Sequence, residues 1–231
     1  MREEQIGGNM KRIKLSIISN ILIFTFTVFA TVVMFTGFKF MDGDLPLSIN
    51  GLEAFKYFTV ESNVMMGIIA LVFLFFEIRL MKKKVNKIPN WIYALKLVFT
   101  VGVALTMLTT MCFLAPTTPF GYFSMFKNAN LFYHFLTPLL SIITFVFFEG
   151  TNNIRYRYTF VGVIPMVLYA IFYVWNVIIH AENGYINMMY DWYGFFAGGT
   201  SNIICVVPIM IGSTYLISYL LWFFNRKTAN S

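Results

Sequence analysis

The chain has 231 residues, of which 58% are hydrophobic and only 12% are charged. This composition excludes a soluble globular domain, because so few charges could not cover its surface, and it predicts an integral membrane protein. The formal net charge of +7 is explained by membrane topology and by contact with anionic lipids, and it does not indicate nucleic-acid binding.

Six apolar runs are long enough to cross a bilayer, which takes about 20 residues. They predict an all-α, polytopic membrane protein whose single domain covers residues 1–231. The predicted transmembrane helices are 15–36, 57–80, 91–114, 131–149, 156–179 and 202–224. The first run is longer than the apolar core of a signal peptide and precedes no small-x-small cleavage site, so we expect it to stay attached.

Lysines and arginines cluster before the first run, in the second and fourth connections, and in the tail. In a six-pass chain these four places lie on one side of the membrane, and the positive-inside rule predicts that this side, with both termini, is cytoplasmic. The cations concerned are Lys11, Arg12, Lys14, Arg79, Lys82, Lys83, Lys84, Lys87, Arg155, Arg157, Arg226 and Lys227.

The first predicted helix carries no charged residue, and we interpret it as a scaffold that faces lipid. The connection after it, Gly37–Ala54, is long enough to fold over the outer mouth of the bundle as a lid. Asp42 and Asp44 flank a glycine there, as in calcium loops. The other ligands of such a loop are missing, so an ordinary turn is predicted.

The second helix begins with polar residues, although its length is that of a membrane span. Thr59, Ser62, Asn63 and Met66 follow one another at i, i+3, i+4 and i+7, so their side chains share one stripe. Hydrocarbon offers no hydrogen-bond partners to such side chains. The stripe therefore indicates either packing against another helix or a polar cavity.

The third helix contains a lysine, Lys96, about one turn beyond the aromatic residues Trp91 and Tyr93. Aromatic residues in that position are typical of a membrane interface. Lys96 is explained by snorkelling to the inner surface or by an ion pair with Glu77.

The fourth helix carries the second informative stripe. Asn130, His134, Thr137 and Ser141 stand at i, i+4, i+7 and i+11, descending from the outer end. His134 is therefore expected at a depth similar to that of Thr59. A neutral imidazole can take a proton from a hydroxyl, so His134 is a candidate general base for Thr59 as a nucleophile.

The fifth helix adds a third stripe of the same spacing, formed by Tyr169, Tyr173, Asn176 and His180, and Asp191 follows in the next outer connection. We expect the three stripes to meet in the outer half of the bundle.

Supporting roles in such a site remain open. Donors for an oxyanion would come from the amide end of the second helix or from the side chains of Ser62 or Asn63. The residue that orients His134 could be Asn130, Tyr173 or Asp191. None of the histidines and carboxylates has the spacing of a metal-ligand motif, so no metal and no cofactor are predicted.

Two short motifs resemble a known family. They are Tyr57-Phe58-Thr59-x-x-Ser62-Asn63 on the second helix and His134-x-x-x-Pro138 on the fourth. Together with six helices and cytoplasmic termini, they are similar to the androgen-induced-protein-like family of six-helix membrane proteins, particularly its bacterial branch. The last outer connection, Asn187–Phe196, departs from the Tyr-Pro-rich pattern of many bacterial members.

Animal members of that family are threonine hydrolases that cleave fatty acid esters of hydroxy fatty acids. The resemblance implies that Thr59 is the nucleophile, that His134 is the base, and that the substrate is a lipid or fatty-acyl ester. It also implies a location in the cell membrane, here the bacterial cytoplasmic membrane.

Two other functions use the same stripes. The protein could bind or transport an amphipathic small molecule in the same cavity without covalent chemistry, or the stripes could serve only as contacts between helices. No acidic relay crosses the midplane and no pair of broken helices marks inverted halves, which argues against a proton-coupled transporter.

Overall fold

The computed structural model describes residues 2–42, 50–181, 185–196 and 201–230, and in these ranges its regular elements are helices. Six of them are long and apolar enough to cross a membrane, which confirms the predicted all-α fold with six membrane-length helices. Residues 43–49, which hold the turn predicted around Gly43 and the middle of the expected lid, lie outside the described ranges.

The six long helices are numbered in chain order. They are α1 (Arg2–Thr36), α2 (Phe58–Met81), α3 (Asn90–Thr117), α4 (Ala129–Phe148), α5 (Tyr158–Ile179) and α6 (Ser201–Ala229). Helix α1 begins before its predicted start and α6 ends after its predicted end. The prediction detects apolar runs, whereas these helices continue into polar sequence. Two short 3₁₀ helices, Gly51–Lys56 and Tyr122–Phe126, precede α2 and α4.

Helix α4 is irregular for much of its length. It contains two π-helical turns, Phe132–Leu136 and Thr144–Phe148, separated by one ordinary stretch, Thr137–Ile143. Such turns are rare and are found frequently at functional sites. The first of them contains His134.

Two glycines let α2 approach its neighbours closely. A methyl group on Gly67 would lie 2.7 Å from the side chain of Thr27 on α1, and one on Gly102 of α3 would lie 3.1 Å from the side chain of Ser62. Small residues at such crossings allow helix backbones in a membrane to pack by close contact.

The two terminal segments lie side by side, since Nη1 of Arg12 donates to the carbonyl of Thr228 at 2.8 Å. We call this the terminal end of the bundle, and the other the opposite end. At the opposite end, the side chain of Asn128 accepts hydrogen bonds from the N–H groups of Phe40 (2.7 Å) and Met41 (2.9 Å). These bonds join the first and third connections.

Two expectations about individual residues are wrong. Helix α1 does not face only lipid, because Ser16 and Asn20 are completely buried. Lys96 neither snorkels nor pairs directly with Glu77: its Nζ atom lies 3.2 Å from Oε1 of Glu149, and both side chains are buried. Because Lys96 has a charged partner, Glu149, in the interior, its side chain does not need to reach the surface.

The sidedness of the bundle stays a prediction, and cysteine labelling tests it. Cys112 and Cys205 are free and exposed, so both are first replaced by serine. An impermeant maleimide should then label Glu53→Cys in intact cells and Lys227→Cys only after permeabilisation, because these exposed positions lie at opposite ends of the bundle. The reverse pattern would contradict cytoplasmic termini.

Candidate functional site

A small cavity, of about 40 Å³, lies at the opposite end of the bundle. Thr59, His134 and Asn130 all line it, so the candidate nucleophile, the candidate base and one candidate orienting residue share one space. The other residues that line the cavity are Met34, Ala54, Tyr57, Val60, Leu114, Tyr133 and Tyr193.

The imidazole of His134 is held in one tautomer. Its Nδ1 atom lies 2.9 Å from the carbonyl oxygen of Met125, which can only accept, so Nδ1 carries the proton. Both residues are buried, and Met125 belongs to the 3₁₀ helix before α4. Nε2 makes no hydrogen bond to any described residue. The neutral ring therefore presents an unprotonated nitrogen, which is the form that acts as a base.

Thr59 is the second residue of α2 and is half-buried. The first N–H groups of a helix have no acceptor within the helix. The N–H of Phe58 donates to the hydroxyl of Tyr193 at 3.1 Å, whereas the N–H of Thr59 has no acceptor among the described residues. The hydroxyl of Thr59 also makes no hydrogen bond to them. One residue beside the cavity thus offers an unbonded hydroxyl and an unbonded amide.

A proline on α4 leaves one carbonyl without its helical donor. In the π-helical turn Phe132–Leu136, the N–H of Thr137 bonds the carbonyl five residues earlier. In that register the donor for the carbonyl of Tyr133 would be Pro138, which has no N–H. The side-chain amide of Asn63 takes its place, with Nδ2 at 3.0 Å from the carbonyl oxygen of Tyr133.

The same amide joins the backbones that carry Thr59 and His134. Nδ2 of Asn63 also donates to the carbonyl of Thr59 at 2.8 Å. The carbonyl oxygens of Thr59 and Tyr133 are therefore no more than about 6 Å apart. Because Tyr133 directly precedes His134, this bridge holds the segments of the candidate nucleophile and base together.

Ser62 and Asn63 have no free donor for an oxyanion. Both N–H bonds of the Asn63 amide go to carbonyls, and the hydroxyl of Ser62 donates to the carbonyl of Thr59 at 3.2 Å. Ser62 also lies 3.4 Å from the hydroxyl of Thr106 on α3. These two side chains hold α2 against its neighbours, so the N–H of Thr59 is the donor left at the amide end of α2.

Tyr173 and Asp191 bond each other and do not contact His134. The hydroxyl of Tyr173 donates to Oδ1 of Asp191, and the N–H of Phe196 donates to Oδ2 at 2.9 Å. The group that orients the imidazole is a backbone carbonyl. The Tyr173–Asp191 pair instead anchors the connection that carries Tyr193 over the start of α2.

Asn176 and His180 lie at the end of α5, away from the cavity that Thr59 and His134 line. Nδ1 of His180 bonds the carbonyl of Asn176 at 2.8 Å, and the ring stacks on Tyr190 with centroids 3.6 Å apart. The structure therefore does not bring these two residues to the candidate site. The described residues also contain no group of three or more His, Cys, Asp or Glu side chains that could hold a metal ion.

Two tyrosines in the site were not predicted from the sequence. Tyr57 and Tyr193 line the cavity, with ring centroids 5.7 Å apart in an edge-to-face contact. Burial raises the pKa of both hydroxyls above the usual value, so each keeps its proton at neutral pH. Tyr57 belongs to the family-like motif, but Tyr193 lies in a connection without periodicity, where no sequence signal identifies it.

A second cavity, of about 40 Å³, shares Thr59, Leu114 and Tyr193 with the first. It lies between α2, α3, α5 and α6 and is mostly apolar. Its remaining lining residues are Phe58, Leu105, Thr106, Thr109, Thr110, Met166, Tyr169, Phe195 and Met210. Thr59 thus stands between a cavity with a partly polar lining and one with a largely apolar lining.

Comparisons with protein-family models, with curated proteins and with solved structures give no match for this chain. The likeness to the androgen-induced-protein-like family stays a prediction from the two motifs, and a function must be inferred from the site.

The bridging role of Asn63 predicts a loss of stability. Asn63→Ala leaves the buried carbonyl of Tyr133 without a donor, so the free energy of unfolding should fall by about 1–3 kcal/mol. Thermal unfolding of the purified protein in detergent measures this. Asn130→Ala is the matched control, because that half-buried amide bonds no described residue, and its effect should stay within about 0.5 kcal/mol. Equal losses in the two variants would contradict the bridge.

Proposed function

We propose that this protein is an integral membrane ester hydrolase in which Thr59 is the nucleophile and His134 is the general base. The observation that carries the proposal is the bond from Nδ1 of His134 to the carbonyl of Met125, 2.9 Å long. It leaves Nε2 as a base in the cavity that the unbonded hydroxyl of Thr59 also lines.

The reaction follows the usual course of acyl transfer through a covalent intermediate. The hydroxyl oxygen of Thr59 attacks the ester carbonyl while Nε2 of His134 takes the hydroxyl proton. The tetrahedral intermediate collapses, the ester C–O bond breaks, and the imidazolium returns the proton to the leaving alcohol. Water, deprotonated by Nε2, then attacks the acyl-threonine and releases the acid and the free hydroxyl.

The negative oxygen of the tetrahedral intermediate needs donors close to Thr59. The N–H of Thr59 has no acceptor in the described part of the chain and lies at the positive end of the α2 dipole. The protonated hydroxyl of Tyr57 lines the same cavity. One well-placed donor of this kind is typically worth about 10²–10³-fold in rate.

The substrate we propose is a lipid or fatty-acyl ester that enters from the membrane. Thr59 also lines the second, largely apolar cavity, so we expect the acyl chain to enter on that side of the hydroxyl and to widen a space that now measures about 40 Å³. The resemblance of the two motifs to threonine hydrolases of fatty acid esters supports the same class. The place of action is the cell membrane, with a bacterial cytoplasmic membrane proposed from the same resemblance.

A second candidate function is the binding or transport of an amphipathic molecule without covalent chemistry. It is favoured by one observation, that no hydrogen bond joins the hydroxyl of Thr59 to His134 in this structure. A ligand that accepts from Thr59 and donates to Nε2 would satisfy both groups without being cleaved.

Two measurements distinguish hydrolysis from binding without chemistry. They are covalent labelling by a fluorophosphonate probe and hydrolysis of a long-chain fatty-acyl ester. Thr59→Ala should abolish both labelling and hydrolysis, because it removes the attacking oxygen, whereas Thr59→Ser keeps a hydroxyl and should retain labelling. His134→Ala should reduce hydrolysis by about 10²–10⁴-fold, the typical share of a general base. The double variant should resemble the worse single one, since the two groups act as a unit.

His180→Ala is the control, because this second histidine lies outside the cavity and should keep most of the activity. Each variant is compared at equal amounts of folded protein, so that a loss of yield is not taken for a loss of turnover. Folded Thr59→Ala protein that hydrolyses esters near the wild-type rate would rule out Thr59 as the nucleophile and favour the binding function.

A further inference from the structure

A second polar cluster, separate from the candidate active site, lies near the terminal end of the bundle. Its members come from the first three helices and from the residue directly after α4, and none is more than 3% exposed. They are Ser16, Asn20, Glu77, Lys96 and Glu149.

The ammonium of Lys96 is paired with one carboxylate. Its Nζ atom lies 3.2 Å from Oε1 of Glu149, donates to Oδ1 of Asn20, and lies 5.2 Å from the centre of the Phe73 ring. A buried ion pair of this kind is tolerated in a membrane because each charge has a partner and hydrogen bonds.

The second carboxyl group of the cluster is that of Glu77. Nδ2 of Asn20 lies 3.2 Å from Oε2 of Glu77 and 2.8 Å from Oε1 of Glu149, so these two oxygens are no more than about 6 Å apart. Among the described residues no cation forms an ion pair with Glu77. If both carboxyl groups were ionised, the cluster would hold one uncompensated negative charge away from water.

One oxygen of the cluster lacks a donor. The hydrogen bonds from Ser16 (3.2 Å), Asn20 (2.8 Å) and Lys96 all reach Oε1 of Glu149. Oε2 of the same residue is buried and has no hydrogen-bond partner among the described residues. An unpartnered carboxylate oxygen in a buried site is costly. The cluster is thus short of one positive charge and of one hydrogen-bond donor.

We propose that this cluster is a proton-binding site, which at neutral pH holds one proton between Glu77 and Glu149. The proton neutralises the excess charge and supplies the missing donor, while the remaining negative charge pairs with Lys96. The two carboxyl groups titrate as one unit and are not assigned separate affinities.

Proton binding of this kind makes the stability of the folded protein depend on pH. The unfolded chain releases this proton by neutral pH and the folded protein keeps it, so the free energy of unfolding falls as the pH rises above neutral. Polar and titratable groups that face the site come from five elements. They are Ser16 and Asn20 on α1, Glu77 on α2, Tyr93 and Lys96 on α3, Glu149 after α4, and Asn225 on α6, whose amide donates to the carbonyl of Glu149 at 3.0 Å.

Infrared spectroscopy of the full-length protein in detergent at neutral pH tests the proposal directly. Glu77→Gln and Glu149→Gln each leave one carboxylate for one ammonium, so each variant should lose the carbonyl stretch of one protonated carboxylic acid. If one variant does not fold, the other provides the same test. Glu53→Gln, which changes an exposed carboxylate outside the membrane helices, should leave that band unchanged.

Thermal unfolding between neutral and alkaline pH gives a second measurement. The unfolding temperature of the wild-type protein should fall as the pH rises, and that of Glu77→Gln should fall less. The proposal is overturned if the difference spectrum of every glutamine variant that folds contains only bands of ionised carboxylate. It is also overturned if sodium or potassium chloride, compared with choline chloride, raises the unfolding temperature of the wild-type protein at neutral pH, because a metal cation would then balance the charge in place of the proton.

Discussion

The bridge made by the side-chain amide of Asn63 sets the arrangement on which the candidate site depends. Pro138 deprives the carbonyl of Tyr133 of its helical donor, and a buried carbonyl in a bilayer finds no water to replace it. Asn63 supplies the donor only if α2 and α4 pack in one register, since a shift of one residue along α2 would turn its side chain by about 100°. The same register brings Thr59 and His134 to one cavity.

The polar cluster at the terminal end holds the same helices together for the same reason, that buried polar groups need partners within the protein. Asn20 bonds Glu77, Glu149 and Lys96, so α1 to α4 are joined there by side chains that lipid could not satisfy. With polar contacts at both ends, these four helices are held in depth as well as in rotation. Helix α6 joins these helices at the terminal end only, where the side-chain amide of Asn225 donates to the carbonyl of Glu149. The second cavity lies between α2 and α3 on one side and α5 and α6 on the other.

The sequence predicts the helices well because membrane length and hydropathy are properties of single segments. It also selects Thr59 and His134, since helical spacing gives their depth. It does not predict the Met125 carbonyl that holds the imidazole, because every residue has a carbonyl and only the folded connection decides which one is near. Asn20 and Tyr193 were missed for related reasons: one is a single amide in an apolar run, and the other lies in a connection without periodicity.

The start of α2 is where stability and function oppose each other. An ordinary N-terminus would bond its first amides with the side chain of a serine, threonine or aspartate. Here the preceding residue, Tyr57, makes no such bond, and Tyr193 takes only the amide of Phe58. No described residue bonds the amide or hydroxyl of Thr59 or Nε2 of His134, and each such group costs about 1–3 kcal/mol where water does not reach it. Three unsatisfied groups beside one cavity match an oxygen-containing ligand that can both accept and donate, and an alkyl chain alone would satisfy none of them.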